Sequence, residues 1–399
     1  MRRLPHTILV AALLWCSRAR AQQPLTPAPP PDSSPSTAEP ERHWYDRISI
    51  RGYTQLRYNQ IGATNPHLTN RQADRGLGGD GGFTMRRARI IVQGDITSFL
   101  SVFLQPDVVS AFDDFQNTLQ LRDLYADVFL DPREKMFRFR LGQSRVPYGW
   151  ELLQSSSNRL PLDRTDGINS AFINERDLGA FFYFETPAVR RRFKRLVDSG
   201  LKGSGDFGIT AIGFANGQPL NTRERNTNKA FFARLAYPFD VGTQTLEVAA
   251  AAYSNRVVVN RDEGVSGRKE EQDFRGLATF VWYPQPLGFQ AEYNVGYGPE
   301  LVGKRVERRP LDGGYAMVMW RQPFSWGAIT PYVRAHRYDG GKKFETNSPR
   351  YVVKQLDVGV EWQLQRWLEL TTELLIADRE TNGDRQTGRA LRLQLQFGF

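Results

Sequence analysis

The chain has almost no cysteine: Cys16 is the only one in 399 residues, so no disulfide can staple the fold internally. Histidine is scarce as well, with four residues in all. Nowhere do about 18 apolar residues run together, which excludes an ordinary membrane-spanning helix. The long Ala/Leu/Glu/Lys stretches of helical proteins are missing too. A mean hydropathy of −0.50 leaves a membrane β-barrel open, because alternating strands keep hydropathy low. What is present points to strands and turns: 35 Gly and 23 Pro stand beside 25 Phe, 15 Tyr and 8 Trp.

The start of the chain has the layout of an export signal. Arg2 and Arg3 precede an apolar stretch from Ile8 to Trp15, and Ala19-Arg20-Ala21 supplies a small-x-small cleavage site. Residues 1–21 are therefore expected to be a signal peptide, cut before Gln22. Cys16 would leave with it, and so would Arg2, Arg3, Arg18 and Arg20, lowering the formal charge from +10 by four. Residues 22–42 are rich in Pro, Ser and Ala and too poor in apolar residues to pack a core, so they read as a flexible linker. No second linker follows, and residues 43–399 read as one domain.

In that domain the dominant signal is a period of two. GRALRLQLQFGF sets Leu391, Leu393, Leu395, Phe397 and Phe399 on one face and Arg392, Gln394 and Gln396 on the other. KMFRFRLG opposes Phe137, Phe139 and Leu141 to Arg138 and Arg140. Sixteen such strands can be counted from Ile48 onward, about 22 residues for each strand with its link, enough for about 9 to 11 spanning residues. Tight turns (Thr97, Asp131-Pro132, Gln365) alternate with long polar links at 60–82, 145–176, 255–271, 298–312 and 338–349. The expected fold is all-β: a sixteen-stranded antiparallel transmembrane β-barrel of the outer membrane, with short periplasmic turns, long extracellular loops and lipid against its outer face. Aromatics near strand ends (Tyr53, Tyr58, Trp282, Tyr283, Trp320, Trp326, Trp362, Trp367) fit interfacial girdles, and Phe399 closes the last strand. One link breaks the rule: residues 186–204 should form a periplasmic turn but are long and basic.

If one face meets lipid, the other lines the lumen. Alternation turns Arg87 and Arg89 inward with Arg86 at the rim, and also turns Arg51, Arg57, Arg138, Arg140, Arg234, Arg334 and His336 inward. Guanidinium keeps its charge at any relevant pH and its planar fork suits phosphate oxygens, so a row of them would attract anions. The alternative is wall filling, with the same arginines paired to Asp123, Asp127, Glu247 and Glu292. The link 145–176 is long enough to fold into the barrel and narrow it, offering Arg159 and Arg164 with Asp163 and Asp166 as counter-charges.

FTMRRARIIVQGDI, LRDLYADVFL, FRFRLGQSRVPYGWE, the Asn158-Arg159-Leu160 step and ERDLGAFFYF resemble, in order and spacing, the first half of the phosphate-selective porin O/P family. The resemblance implies a homotrimeric outer-membrane porin whose inward-folded third loop narrows the channel and whose arginine ladder conducts inorganic anions such as phosphate. Within it, Arg86 and Arg87 fall on paired constriction arginines, Arg159 on the loop arginine, and Arg140 on a pore-lining lysine. Arg122 stands where the family has an acidic residue, and strict alternation sets Arg122 on the face opposite Asp123. The rival function is a general or sugar-preferring porin without phosphate selectivity.

Other classes find little support. His43, His67 and His336 stand near no defensible Ser/Asp arrangement, and no zinc or dinucleotide motif is present. GLGGDGG at 76–82 lacks the Lys-Ser/Thr of a phosphate loop. RRRFKR at 190–195 reads as a solvated basic turn rather than a nucleic-acid site. No enzyme activity, cofactor, metal or nucleic-acid partner is expected.

Overall fold

A computed structural model describes residues 44–63, 82–109 and 118–399. The signal peptide, the linker, the GLGGDGG stretch up to residue 81, His43 and His67 lie outside the described residues, as does most of the expected loop 60–82.

Sixteen staves form one closed antiparallel sheet. They are β1 (Ile48–Ala63), β2 (Gly82–Asp95), β3 (Leu100–Val109), β4 (Thr118–Phe129), β5 (Phe137–Arg145), β6 (Arg176–Phe184), β7 (Thr210–Ala215), β8 (Ala230–Val241), β9 (Gln244–Val257), β10 (Glu271–Trp282), β11 (Leu287–Val302) and β12 (Arg305–Trp320) with its short continuation β13 (Gln322–Phe324). Then come β14 (Gly327–Gly341), β15 (Arg350–Gln365), β16 (Leu368–Thr381) and β17 (Asp384–Gly398). β12 and β13 both pair with β14 and form one stave interrupted at Arg321. β17 returns to β1 in a register that runs from Tyr53 opposite Gly398 to Ala63 opposite Gly388. Closure leaves no sheet edge, so the backbone polar groups are satisfied within the wall.

At the seam, Phe399 and Gly52 exchange backbone hydrogen bonds of 3.0 and 3.1 Å, and the Phe399 ring lies where a Cβ on Gly52 would stand. A side chain at Gly52 would displace the terminal ring, so only glycine admits this close approach.

Leu391, Leu393, Leu395 and Phe397 face outward, while Arg392, Gln394 and Gln396 are buried inside. Links at one end, here the turn rim, are short except between β6 and β7. At the opposite loop rim two links are shorter than the sequence suggests. The stretch expected as loop 298–312 is strand: β11 and β12 pair without a break to Val302 opposite Arg305 and turn at Gly303-Lys304. These staves are longer than the hydrocarbon needs, and their exposed Arg305, Arg308 and Arg309 mark a hairpin continuing beyond it. β16 and β17 likewise meet at a tight Asn382-Gly383 turn.

The aromatic positions divide. Trp320, Phe324, Trp326 and Trp367 are exposed at the turn rim, with Phe324 stacked on Trp326 at 4.8 Å. Tyr53 and Tyr283, expected in a girdle, are instead buried in the lumen, because they share a face with Gln55 and Val281 respectively.

The basic link between β6 and β7 is a helix. Thr186 caps α3 (Pro187–Asp198) by accepting from the Val189 amide, with Pro187 at its first position. Its apolar stripe, Val189, Phe193 and Leu196, is buried, and Arg191, Lys194 and Arg195 face water. Residues 199–209 then return as a strap, which is why β7 begins at Thr210 rather than near 205.

Candidate functional site

The third loop, residues 146–175, lies inside the barrel. Nearly all of it is buried, and its short helices α1 (Trp150–Leu153) and α2 (Asp166–Asn169) rest on the far wall. Three kinds of contact hold it there. Carboxylates on the wall cap its backbone: Glu292 accepts from the Trp150 and Glu151 amides at 2.6 and 2.8 Å, the open N-terminus of α1. Wall guanidinium groups grip its acids: Arg334 reaches Glu151 at 2.9 Å, Arg57 reaches Asp163 at 3.1 Å, and Arg392 also pairs with Asp163. Close backbone approach completes the seat, since a Cβ on Gly167 would stand 2.4 Å from the Gly314 amide.

Beneath the loop is an apolar core inside the lumen. Tyr148, Leu152, Leu160, Ile168 and Phe172 pack on inward residues of the wall, among them Phe181, Phe232, Tyr253, Leu277, Met317 and Met319. Strands apolar on both faces carried the signal: Phe181-Phe182-Tyr183-Phe184 and Met317-Val318-Met319-Trp320. A water-lined wall would not need them.

The free space lies against the other wall. A vestibule of about 1260 Å³ opens at the turn rim beside β1–β5, bounded by the loop tip at Ser155 to Asn158 and by the strap. Among the described residues β1–β6 bury eight arginines against four aspartates, whereas β7–β17 bury five arginines against nine carboxylates. The third loop therefore covers much of the acid-rich wall, while Arg57, Arg122 and Arg176 of the basic wall pair with its acids, and the vestibule is left beside Arg51, Arg138, Arg140 and Arg145.

Two β-bulges increase that basic density. The pairing of β1 with β2 slips between Gln55 and Leu56, which makes Arg86 the extra residue, and both Arg86 and Arg87 are buried. Arg86 is thus not at the rim, as strict alternation suggests. The pairing of β3 with β4 slips between Gln105 and Pro106, and there Arg122 and Asp123 both turn inward. Arg122 donates to Glu175 at 3.0 Å, and Arg176 reaches Asp123 at 3.0 Å. A bulge resolves the one-residue conflict noted in the sequence.

The predicted arginines divide by place. Arg86, Arg87, Arg89, Arg138 and Arg140 stand on the basic wall. Arg87 donates to Gln55 at 2.8 Å, and Arg89 is held by Asp107 at 2.7 Å and by Tyr53 and Ser156. Arg140 is bidentate to Asp127 at 2.8 and 2.9 Å and lies 3.7 Å over the Tyr125 ring, an arrangement that fixes the fork in one plane. Arg138 reaches Asp206 of the strap at 3.2 Å. Against the cost of burial, Arg138 holds the Asp206 carboxyl below its usual range, while burial and that neighbouring carboxyl push Glu185 up to about 8. Arg51 and Arg145 also line the vestibule.

The other four are elsewhere. Arg159 bonds the Pro161 and Leu162 carbonyls of its own loop, and Arg164 bonds the Glu151 and Gln154 carbonyls and pairs with Glu175. Arg234 is buried against Glu247 at 3.1 Å, and Arg334 against Asp357 at 2.7 Å. The wall-filling alternative describes Arg234 on Glu247, and on the basic wall it also describes Arg140 on Asp127 and Arg176 on Asp123. Sequence reasoning missed the seat itself, Glu292 with Arg334, Arg392 and Gly167, because no local pattern marks a residue 140 positions away as its partner.

A closed sixteen-stave barrel with an apolar outside, a charged lumen and an inward loop defines the class of outer-membrane porins. The chain belongs to the family described as phosphate-selective porin O and P, whose model matches residues 57–269 and 260–399. Its fold is similar to the outer membrane channel DcaP of Acinetobacter baumannii at 12% identity and TM-score 0.58, covering 88% of this chain and 97% of that one. OmpF of Salmonella typhi, solved with daunomycin, gives 12% identity and TM-score 0.53 over 88% and 97%. An anion-selective porin from Comamonas acidovorans gives 12% identity and TM-score 0.50 over 88% and 99%. A search of curated proteins returned no match.

Proposed function

We propose that this outer-membrane channel conducts inorganic anions, with preference for phosphate-type ions, along the arginine wall of β1–β6. The supporting observation is the charge of the open space: nine cationic side chains line the vestibule against six side-chain carboxylates, with Arg51, Arg138, Arg140 and Arg145 on β1 and β5, while the third loop and its apolar core fill the lumen on the other side. In a narrow low-dielectric lumen a fixed positive strip concentrates anions and excludes cations. Its guanidinium groups are spaced along several strands, so an ion can be handed from one to the next. Carboxylates beside them keep each site weak enough to release its ion.

Family membership supports the phosphate preference, and Arg138 and Arg140 set two guanidinium groups on one strand face at the vestibule, where an oxyanion would pass. Arg159 and Arg164 shape the loop that borders the path; Arg234 and Arg334 hold the wall on which it rests. In this reading residues 1–21 are a cleaved signal peptide, the turn rim faces the periplasm, and three copies assemble in the membrane.

The deciding measurement is the reversal potential of the purified protein in a planar bilayer under a salt gradient, with phosphate added to block chloride current. Anion preference and phosphate block lost in Arg87→Ala are expected. Cation preference would overturn the reading, and chloride preference without phosphate block would leave the general porin in its place. Heat-sensitive migration of a trimer-sized band on a gel is the expected sign of assembly.

A further inference from the structure

The strap after α3 is built into the lumen as deliberately as the third loop is. Lys202 is almost wholly buried, and its ammonium lies between two glutamates of the opposite wall, 2.6 Å from Glu361 on β15 and 3.3 Å from Glu369 on β16. The strap reaches that place by backbone that ordinary residues avoid: Gly200 and Gly205 have φ of +68° and +103°, and Lys202 itself has +64°.

From this position the strap meets the third loop. The Lys202 carbonyl accepts from Gln154 Nε2 at 2.6 Å, and the Gly203 carbonyl accepts from Asn158 Nδ2 at 2.5 Å. Trp150 of the loop packs in one cluster with Val189, Phe193 and Leu196 of α3 and Leu201 of the strap. Loop tip and strap both border the vestibule.

We infer that residues 199–207 are the second half of the constriction, and that Lys202 is a positioning residue which sets the channel's width and also the sign of its selectivity. Two physical consequences follow from its place. Lys202 anchors the strap across the barrel, so the tip at Gln154 to Asn158 is held from below as well as from the wall. Its single charge offsets one of the two carboxylates Glu361 and Glu369, the second of which lines the vestibule; without it the local charge beside the passage is one unit more negative and favours cations.

The selectivity half of this inference rests on the anion-channel reading, whereas the width half needs only a channel. Single-channel conductance and reversal potential of the full chain in planar bilayers test both. Lys202→Met is expected to raise conductance about twofold and to move the reversal potential toward cation preference. Adding Glu369→Gln to it, which removes one carboxylate for the one ammonium lost, should restore the original reversal potential while the conductance stays high, a split that loss of folding cannot produce. Asn158→Ala, on the loop side of the same contact, should raise conductance without moving the reversal potential. Unchanged conductance in both Lys202→Met and Asn158→Ala overturns the width assignment. An unchanged reversal potential in Lys202→Met overturns the charge assignment, and cation preference in the unmodified protein would instead sink the anion-channel reading alone.

Discussion

Strands β1–β6 and strands β7–β17 both turn a polar row toward the lumen, and the two rows differ in composition and in what they touch. On the first, arginines outnumber acids two to one, and Arg138 and Arg140 border open space. On the second, carboxylates prevail, and they spend their charge on the third loop: Glu292 caps a helix, Glu373 accepts from the Leu162 amide at 3.1 Å, and Asp357 and Glu247 hold arginines in place. The same residue type therefore does different work on the two sides. Arg334, tied to Asp357 and Glu151, is a fastening for the loop; Arg140, fixed by Asp127 and the Tyr125 ring, lines the vestibule.

The comparison can be broken most severely on the far wall. Arg334→Ala leaves Asp357 and Glu151 buried without their guanidinium, and is expected to cost about 3–5 kcal/mol of stability, read by urea titration of heat-modifiable gel migration. Next in size is a charge placed on the lipid side. Leu393→Arg should cost about 2–4 kcal/mol near mid-bilayer, whereas Gln93→Arg, on the luminal side of β2 and lining the vestibule, should fold and alter current instead.

On the basic wall the effect moves from stability to conduction. Arg87→Ala is expected to lower the anion-to-cation permeability ratio by about tenfold at low salt, and less at high salt where screening weakens the lost charge. An equal loss in Arg234→Ala, buried under the loop, would erase the distinction between the walls.

The smallest effect is at the turn rim. Glu185 has its folded pKa raised from 4.5 to about 8, so the folded state binds the extra proton between those values. Its contribution is complete below the unfolded pKa and is lost as pH rises through 8, about 1–2 kcal/mol given that Arg190 retains a partial pairing. Urea titrations at pH 5 and pH 9 should differ in the native chain and converge in Glu185→Gln.

How far the residues alone carry the reading varies along the chain. The terminal strand was fully legible: leucines out, Arg392 and glutamines in. Arg86 and Arg122 were not, since each sits on a bulge, and an extra residue in one strand is invisible without its partner's register. Tyr53 and Tyr283 were misplaced because an aromatic near a strand end fits a membrane interface and a luminal hydrogen bond equally well. Residues 190–195 read as a basic turn, yet Val189, Phe193 and Leu196 at helical spacing carried the signal of an amphipathic helix with a buried face.

The shortage of cysteine and of long apolar runs, together with the period of two, determined by itself that the chain is a β-barrel without staples, because side chains on a strand must alternate between two environments. Which arginines meet an ion and which hold a loop was decided only by the tertiary structure. Charge is a property of the residue, but pairing depends on what a fold brings within 3 Å, and here the loop partners of Arg334 and Glu292 and the wall partner Glu361 of Lys202 lie more than a hundred residues away along the chain.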